Sequence, residues 1–182
     1  MRQLGFFWGV AGVVLFLSTA IMRLSPRILE LQDYTFGWQH WLLLALFVPW
    51  MGWAEGYKGF HKAFSPRVVA RANYLRDNVP VILRVLAPLF CMGYIHATRK
   101  RKIVSYCITL GIIGLVMLVR MMPQPWRGII DAGVVLGLSL GIVSVLYWFF
   151  KALTGRWYHP IPLDLPEPRE AAQVRSQGQS EV

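Results

Sequence analysis

The four histidines, His40, His61, His96 and His159, are the residues that first invite chemistry, because imidazoles ligate haem iron and transition metals. A b-haem held by two histidines needs both rings facing one another at like depth inside a helical bundle. These four lie at the ends of apolar runs or in connections, so only His61 and His96, which can meet near one interface, stand as haem candidates. No HxxxH, HxxH or Glu-x-x-His pattern offers a di-metal site. Cys91 and Cys107 lack CxxC or Cys/His spacing and read as small buried thiols. The expectation is no resident cofactor and no metal, with a b-haem electron-transfer subunit as a third reading.

Basic and acidic residues form the second constellation. Asp131 follows Arg127 by four residues, which puts the two on one helix face as an ion pair. With Arg120 and Gln124 the pair could line a polar cavity, or it could simply anchor the start of a helix; Glu55 carries the same two readings. Arg84 interrupts an apolar stretch, and Lys58, Lys62, Arg67, Arg71 and Arg76 alternate with aromatic and aliphatic residues between Gly56 and Asn78. Arg84, Arg120, Arg127, Asp131 and that basic stretch are therefore the candidate contacts for a lipid headgroup or another anion, and bound phospholipid is the ligand they imply. Serine catalysis finds no support, since there is no Gly-x-Ser-x-Gly and no serine with a base evident in the sequence. Phosphate loops and dinucleotide fingerprints are absent too, because the glycines lie inside apolar runs. The balance leans away from an enzyme.

The elements that must position these residues are membrane helices. The 182 residues are 55% hydrophobic and only 15% charged, with mean hydropathy +0.45, whereas an ordinary soluble domain is about a quarter charged. The net charge of +10 does not indicate nucleic acid, because the basic residues flank apolar runs, where they face anionic lipid and set orientation. The fold class is all-α, a polytopic membrane bundle in one domain over 1–159, followed by a polar tail over 160–182 rich in Pro, Glu, Gln and Ser.

Five apolar segments are expected, at about 4–22, 40–57, 79–97, 103–122 and 126–150, with an interfacial amphipathic helix over about 65–78 that starts at Ser65-Pro66. Segment two has tryptophans at both ends and Pro49 as a kink, and Pro26 to Leu31 fits a short surface helix. Gly133, Gly137 and Gly141 make one bare stripe on the last segment, and Gly5, Gly9 and Gly12 make a shorter one on the first, suited to meeting it. In lipid such stripes mark faces that admit a close neighbour.

Segment three decides the topology. If all five segments span, Lys and Arg divide almost equally between the two sides; if segment three dips in and turns near Pro88, nearly all fall on one side. The five-helix arrangement is slightly preferred, and the Arg99 to Lys102 turn is placed in the cytoplasm of a bacterium, with the chain in its inner membrane. The leading expectation is a small accessory or scaffold subunit that packs against itself or a larger membrane complex through its glycine faces and contacts anionic lipid. The alternative is a transporter or transferase that handles an anionic lipid or phosphorylated substrate through the arginines.

Overall fold

The computed structural model describes residues 3–76, 81–95 and 97–155, and every regular element in them is helical. Helix α1 is Leu4–Leu29, followed by a 3₁₀ turn, Glu30–Asp33. Helix α2 (Trp38–Met51) runs into a π-helical stretch, Gly52–Phe64, and then into α3 (Ser65–Tyr74). Two short helices, α4 (Val81–Val85) and α5 (Ala87–Cys91), precede α6 (Arg99–Arg120) and α7 (Trp126–Leu153). Asn78, Val79, His96, His159 and the tail 160–182 lie outside the described residues. Three helical units, Leu4–Asp33, Arg99–Arg120 and Trp126–Leu153, are long and apolar enough to cross a membrane.

Helix α1 runs further than its apolar core requires, passing through Pro26 to Leu29 rather than breaking into a separate surface helix. The Ser25 hydroxyl donates to the Ile21 carbonyl at 2.8 Å, a side-chain donor beside the position where Pro26 lacks its amide N–H. Segment two likewise does not stop near residue 57. Its backbone continues without a break from Trp38 to Tyr74, with Pro49 absorbed inside α2.

The thirteen π-helical residues follow from what the rod packs against. The glycine stripe of α7 receives Phe47 and Met51 at Gly133, Glu55 at Gly137 and Phe60 at Gly141. Those partners step along the rod by four and then five residues, faster than the 3.6-residue turn of an α-helix allows in a straight line. An i→i+5 helix has a turn of a little over four residues, so it keeps Met51, Glu55, Phe60 and Phe64 on one edge. Gly52 and Gly56 complete the fit from the rod's side, where an added Cβ at Gly56 would sit 2.6 Å from Leu140.

Helix α7 thus runs alongside the rod in the same direction and opposite to α1. His40 meets Trp126 at one end, while Phe6 stacks on Phe149 at 5.2 Å at the other. The two glycine stripes do not meet each other. Gly5, Gly9 and Gly12 are filled by Leu75 and Arg84, by Cys91 and Ala87, and by Pro88, respectively.

Two further expectations are corrected. Residues 79–97 do not form one membrane-length helix: α4 and α5 have five residues each, about 7 Å of rise against a hydrocarbon core of roughly 30 Å. Pro88 and the non-helical Leu86 divide them, and the pair folds down onto the first half of α1. The described part of the 65–78 stretch, α3 and the two residues after it, is not an exposed amphipathic helix either. In α3, Ser65, Pro66, Val68, Val69, Ala70, Arg71 and Ala72 are all buried, because α1 and α7 cover one side and α5 the other. Val68, Val69, Ala72 and Leu75 join Phe6, Val10, Val13, Phe90 and Val145 in the main core.

Helix α6 is the exception to this packing. It touches α7 only slightly, its apolar side chains are exposed around its circumference, and Gly111 and Gly114 have nothing within 4 Å. The contrast between glycines gives a direct check. Gly141→Leu drives a side chain into Phe60, whose ring already lies 2.7 Å from an ideal Cβ, and overpacking of this kind costs about 1–3 kcal/mol. Its thermal midpoint in detergent falls, whereas Gly111→Ala and Gly114→Ala, made in open space, leave the midpoint unchanged or raise it.

Candidate functional site

The feature that gathers polar groups on an otherwise apolar flank is a shallow open groove of about 290 Å³, lined by Gly56, Tyr57, His61, Leu140, Val143, Ser144 and Tyr147. One wall is the π-helical stretch and the other is α7. Ser144 is 4% exposed, and its Oγ lies 3.1 Å from Nδ1 of His61. The imidazole sits among aromatic rings: Tyr57 stacks on it at 5.7 Å, Tyr147 tilts against it at 5.6 Å and Trp148 at 5.9 Å. The Trp148 indole N–H also donates to the His61 carbonyl at 3.2 Å, so this residue is held by both its ring and its backbone.

Each part of the site has a local cause. Gly56 removes the side chain that would otherwise fill the floor against Leu140. Ser144 and Tyr147 share one face of α7 at i, i+3, and Tyr147 and Lys151 share it at i, i+4. On the rod the π-helical repeat brings residues five apart into line. Lys62 stands 4.8 Å from the Tyr57 ring and Lys58 3.8 Å from the Trp53 ring, both cation–π contacts that an α-helix would not align. Lys151 lies 4.7 Å from Trp148 and 6.0 Å from Tyr147.

The pairing of His61 with Ser144 was not visible in the sequence, where the residues are 83 positions apart. The signal in the sequence was two serines, Ser139 and Ser144, in an apolar run, with nothing to single out Ser144. A nucleophilic serine needs a base that is oriented by a third group and donors for an oxyanion. The described neighbours of the His61 ring are Ser144, Tyr57, Tyr147 and Trp148, with no carboxylate among them. The arrangement therefore suits binding of an amphipathic molecule better than acyl transfer.

The arginines proposed from sequence are scattered. Arg71, 3% exposed, donates from Nε to the Phe90 carbonyl at 2.7 Å and from a terminal nitrogen to the Ile95 carbonyl at 2.9 Å, and its guanidinium lies 4.3 Å from the Phe90 ring. It holds protein carbonyls rather than an exogenous anion. Arg76 lies 4.0 Å over Phe6, and Arg84 packs beside Gly5 at the same end of α1; the Nε atoms of both are buried without a hydrogen-bond partner. Arg67 is half-buried on α3, and Arg120 ends α6 exposed.

Arg127 and Asp131 form a long 3.9 Å ion pair at the opposite end of the bundle, where Gln124 bonds the Arg27 carbonyl at 3.2 Å and Glu30 at 3.0 Å. Arg84 therefore cannot share a site with Arg120, Arg127 and Asp131: α1 separates them by nearly its full length, about 35–40 Å. Gln124 fastens the start of α7 to the end of α1, while the Arg127–Asp131 pair is made within α7. His40 accepts the Gly37 amide at 3.1 Å at the start of α2. The haem pairing of His61 with His96 involves a residue outside the described set. Among the described residues no group of three His, Cys, Asp or Glu could hold a metal ion.

The role of Arg71 predicts a local effect. Arg71→Met keeps most of the stem but leaves two buried carbonyls without their charged donor, at a cost of about 2–4 kcal/mol. Amide exchange over 87–95 accelerates in that variant while exchange in the middle of α7 does not. Equal protection of 87–95 in both proteins would show that the α4–α5 pair is held by packing alone. The chain matches no protein-family description, no curated protein and no solved structure.

Proposed function

We propose that this chain is a non-enzymatic accessory protein of a bacterial inner membrane that crosses the bilayer four times and binds a membrane lipid in the lateral groove between the π-helical stretch and α7. The observation that carries the reading is the His61–Ser144 pair, a hydrogen-bonding couple set in an aromatic and aliphatic wall that opens sideways from the bundle. A groove of this kind suits a molecule with a long apolar part and one carbonyl or hydroxyl, because apolar walls with a few placed polar groups fix orientation. In the proposed topology α1, the rod, α6 and α7 are the four crossings, and α4–α5 returns to the side it came from. Arg76, Arg84, the Arg99 to Lys102 turn and Lys151 then share the cytoplasmic face, as the preference for positive charge inside requires.

Purification in mild detergent followed by native mass spectrometry tests the reading. Wild-type protein retains endogenous lipid, and Ser144→Leu with His61→Leu, which fills the groove and removes its polar couple, loses at least ten-fold of it at unchanged thermal midpoint. Retention by the filled variant equal to wild type would sink the proposal.

A second reading, a scaffold subunit, is favoured by α6. Both glycine stripes are occupied from within the chain, so a partner helix would have to use the surface that α6 leaves bare. If that partner is a second copy, oxidation in native membranes couples the exposed Cys107 into a dimer, and Cys107→Ser abolishes it while buried Cys91 contributes nothing. Monomer alone under conditions that oxidise a control thiol would remove this reading.

A further inference from the structure

We infer that the lateral groove selects an anionic lipid, with the phosphate held at its rim by Lys62 and Lys151 and the glycerol ester region set against His61 and Ser144. The inference rests on the lipid-binding reading above and goes beyond it by assigning the charge of the ligand and the residues that read it.

Lys62 lies over Tyr57 and Lys151 over Tyr147 and Trp148, and both tyrosines line the groove. One lysine comes from each wall. The π-helical repeat fixes the first through its i, i+5 alignment, and the α-helical i, i+4 spacing of α7 fixes the second. Among the described residues neither lysine is joined to a carboxylate, and the Arg127–Asp131 pair lies at the far end. For two such cations beside one apolar groove, an anion is the complementary group.

Depth along α7 agrees with the chemistry of a lipid. Leu140 and Gly56 mark the inner end of the groove, and Ser144, Tyr147 and Lys151 follow toward the end of α7 at Leu153. The Lys151 Cα is about 10 Å further along α7 than that of Ser144, within one turn of the helix end; its ammonium lies over Trp148 and Tyr147 and that of Lys62 over Tyr57, and both long side chains can extend outward to the headgroup layer. A phospholipid presents the same order, with chains innermost, ester carbonyls next and phosphate outermost. The carboxylate on this face of the rod, Glu55, sits against Gly137 at the inner end, where it does not neutralise the rim.

The test uses the full chain, delipidated in detergent, and titrates it with dioleoyl phosphatidylglycerol, dioleoyl phosphatidylcholine and glycerol 1-phosphate, read by native mass spectrometry. Wild type binds phosphatidylglycerol at least ten-fold more tightly than phosphatidylcholine, and Lys62→Gln with Lys151→Gln brings the two within about two-fold. Lys62→Arg with Lys151→Arg keeps the preference, and Lys100→Gln with Lys102→Gln, which removes equal charge from the basic turn, keeps it as well.

Equal affinity of wild type for both lipids would overturn the inference while leaving lipid binding intact, as would an undiminished preference in the glutamine pair. Loss of the preference in the Lys100 and Lys102 variant would also overturn it, because selection would then come from diffuse charge. Competition by glycerol 1-phosphate as effective as by the lipid would assign the site to free phosphate and overturn it too. Failure of wild type to bind either lipid would remove the groove reading itself.

Discussion

The close approach of the rod to α7 is the interaction on which the remaining structure depends. Glycines at 133, 137 and 141 leave a flat strip, and in hydrocarbon, where apolar surfaces gain nothing from leaving water, such a strip is filled only if the neighbouring side chains fit it well. Phe47, Met51, Glu55 and Phe60 do so, and their spacing forces the rod out of the α-helical repeat for thirteen residues. The widened turns then set everything downstream. They bring Lys62 over Tyr57, His61 to Ser144, and α3 into the core at the rotation that points Arg71 at α5.

A second constraint acts at the end of the bundle where α4 and α5 fold back. Helices of five residues leave more carbonyls open than they close, and in an apolar setting each open carbonyl has to find a donor in the protein. The donors come from three other elements. Trp8 of α1 bonds the Val85 carbonyl at 3.1 Å, Arg71 of α3 bonds those of Phe90 and Ile95, and Ser105 of α6 reaches that of Met92 at 3.4 Å. Tyr94 adds a side-chain bond to Thr109. This explains how a stretch holding Arg84 and Pro88 is accommodated without forming a single long helix.

The helical class and the three long apolar helices were legible in the sequence because both depend on composition and run length, which are local quantities. The close neighbours of the glycine stripes were legible as a need but not by identity: Gly9 waits for Cys91 and Gly141 for Phe60, and nothing within either segment names its partner. Segment 65–78 was misjudged for a physical reason. Its pattern of apolar and basic residues is the same whether the basic side faces headgroups or, as for Arg71, a set of backbone carbonyls, and only the fold of α4–α5 tells the two apart. The groove was least visible, since it is made of one histidine, one serine, two tyrosines and a few small or aliphatic residues from two elements brought into register by a change of helix type.

That change of helix type also accounts for where polar chemistry collects. A regular α-helix on α7 would present its partners in a drifting stripe, so a polar side chain such as His61 would rotate away from the seam within two turns. The π-helical stretch holds the seam straight, and the residues just beside it, Tyr57, His61 and Lys62, emerge together on one flank. Phe60 closes the seam against Gly141, while its neighbour His61 turns outward to Ser144. The same packing that satisfies the glycine stripe therefore gathers hydrogen-bonding groups, aromatic faces and cations on one flank of the seam. The proposed binding surface is thus a by-product of how the core closes, and a substitution that restores the α-helical repeat would dissolve both together.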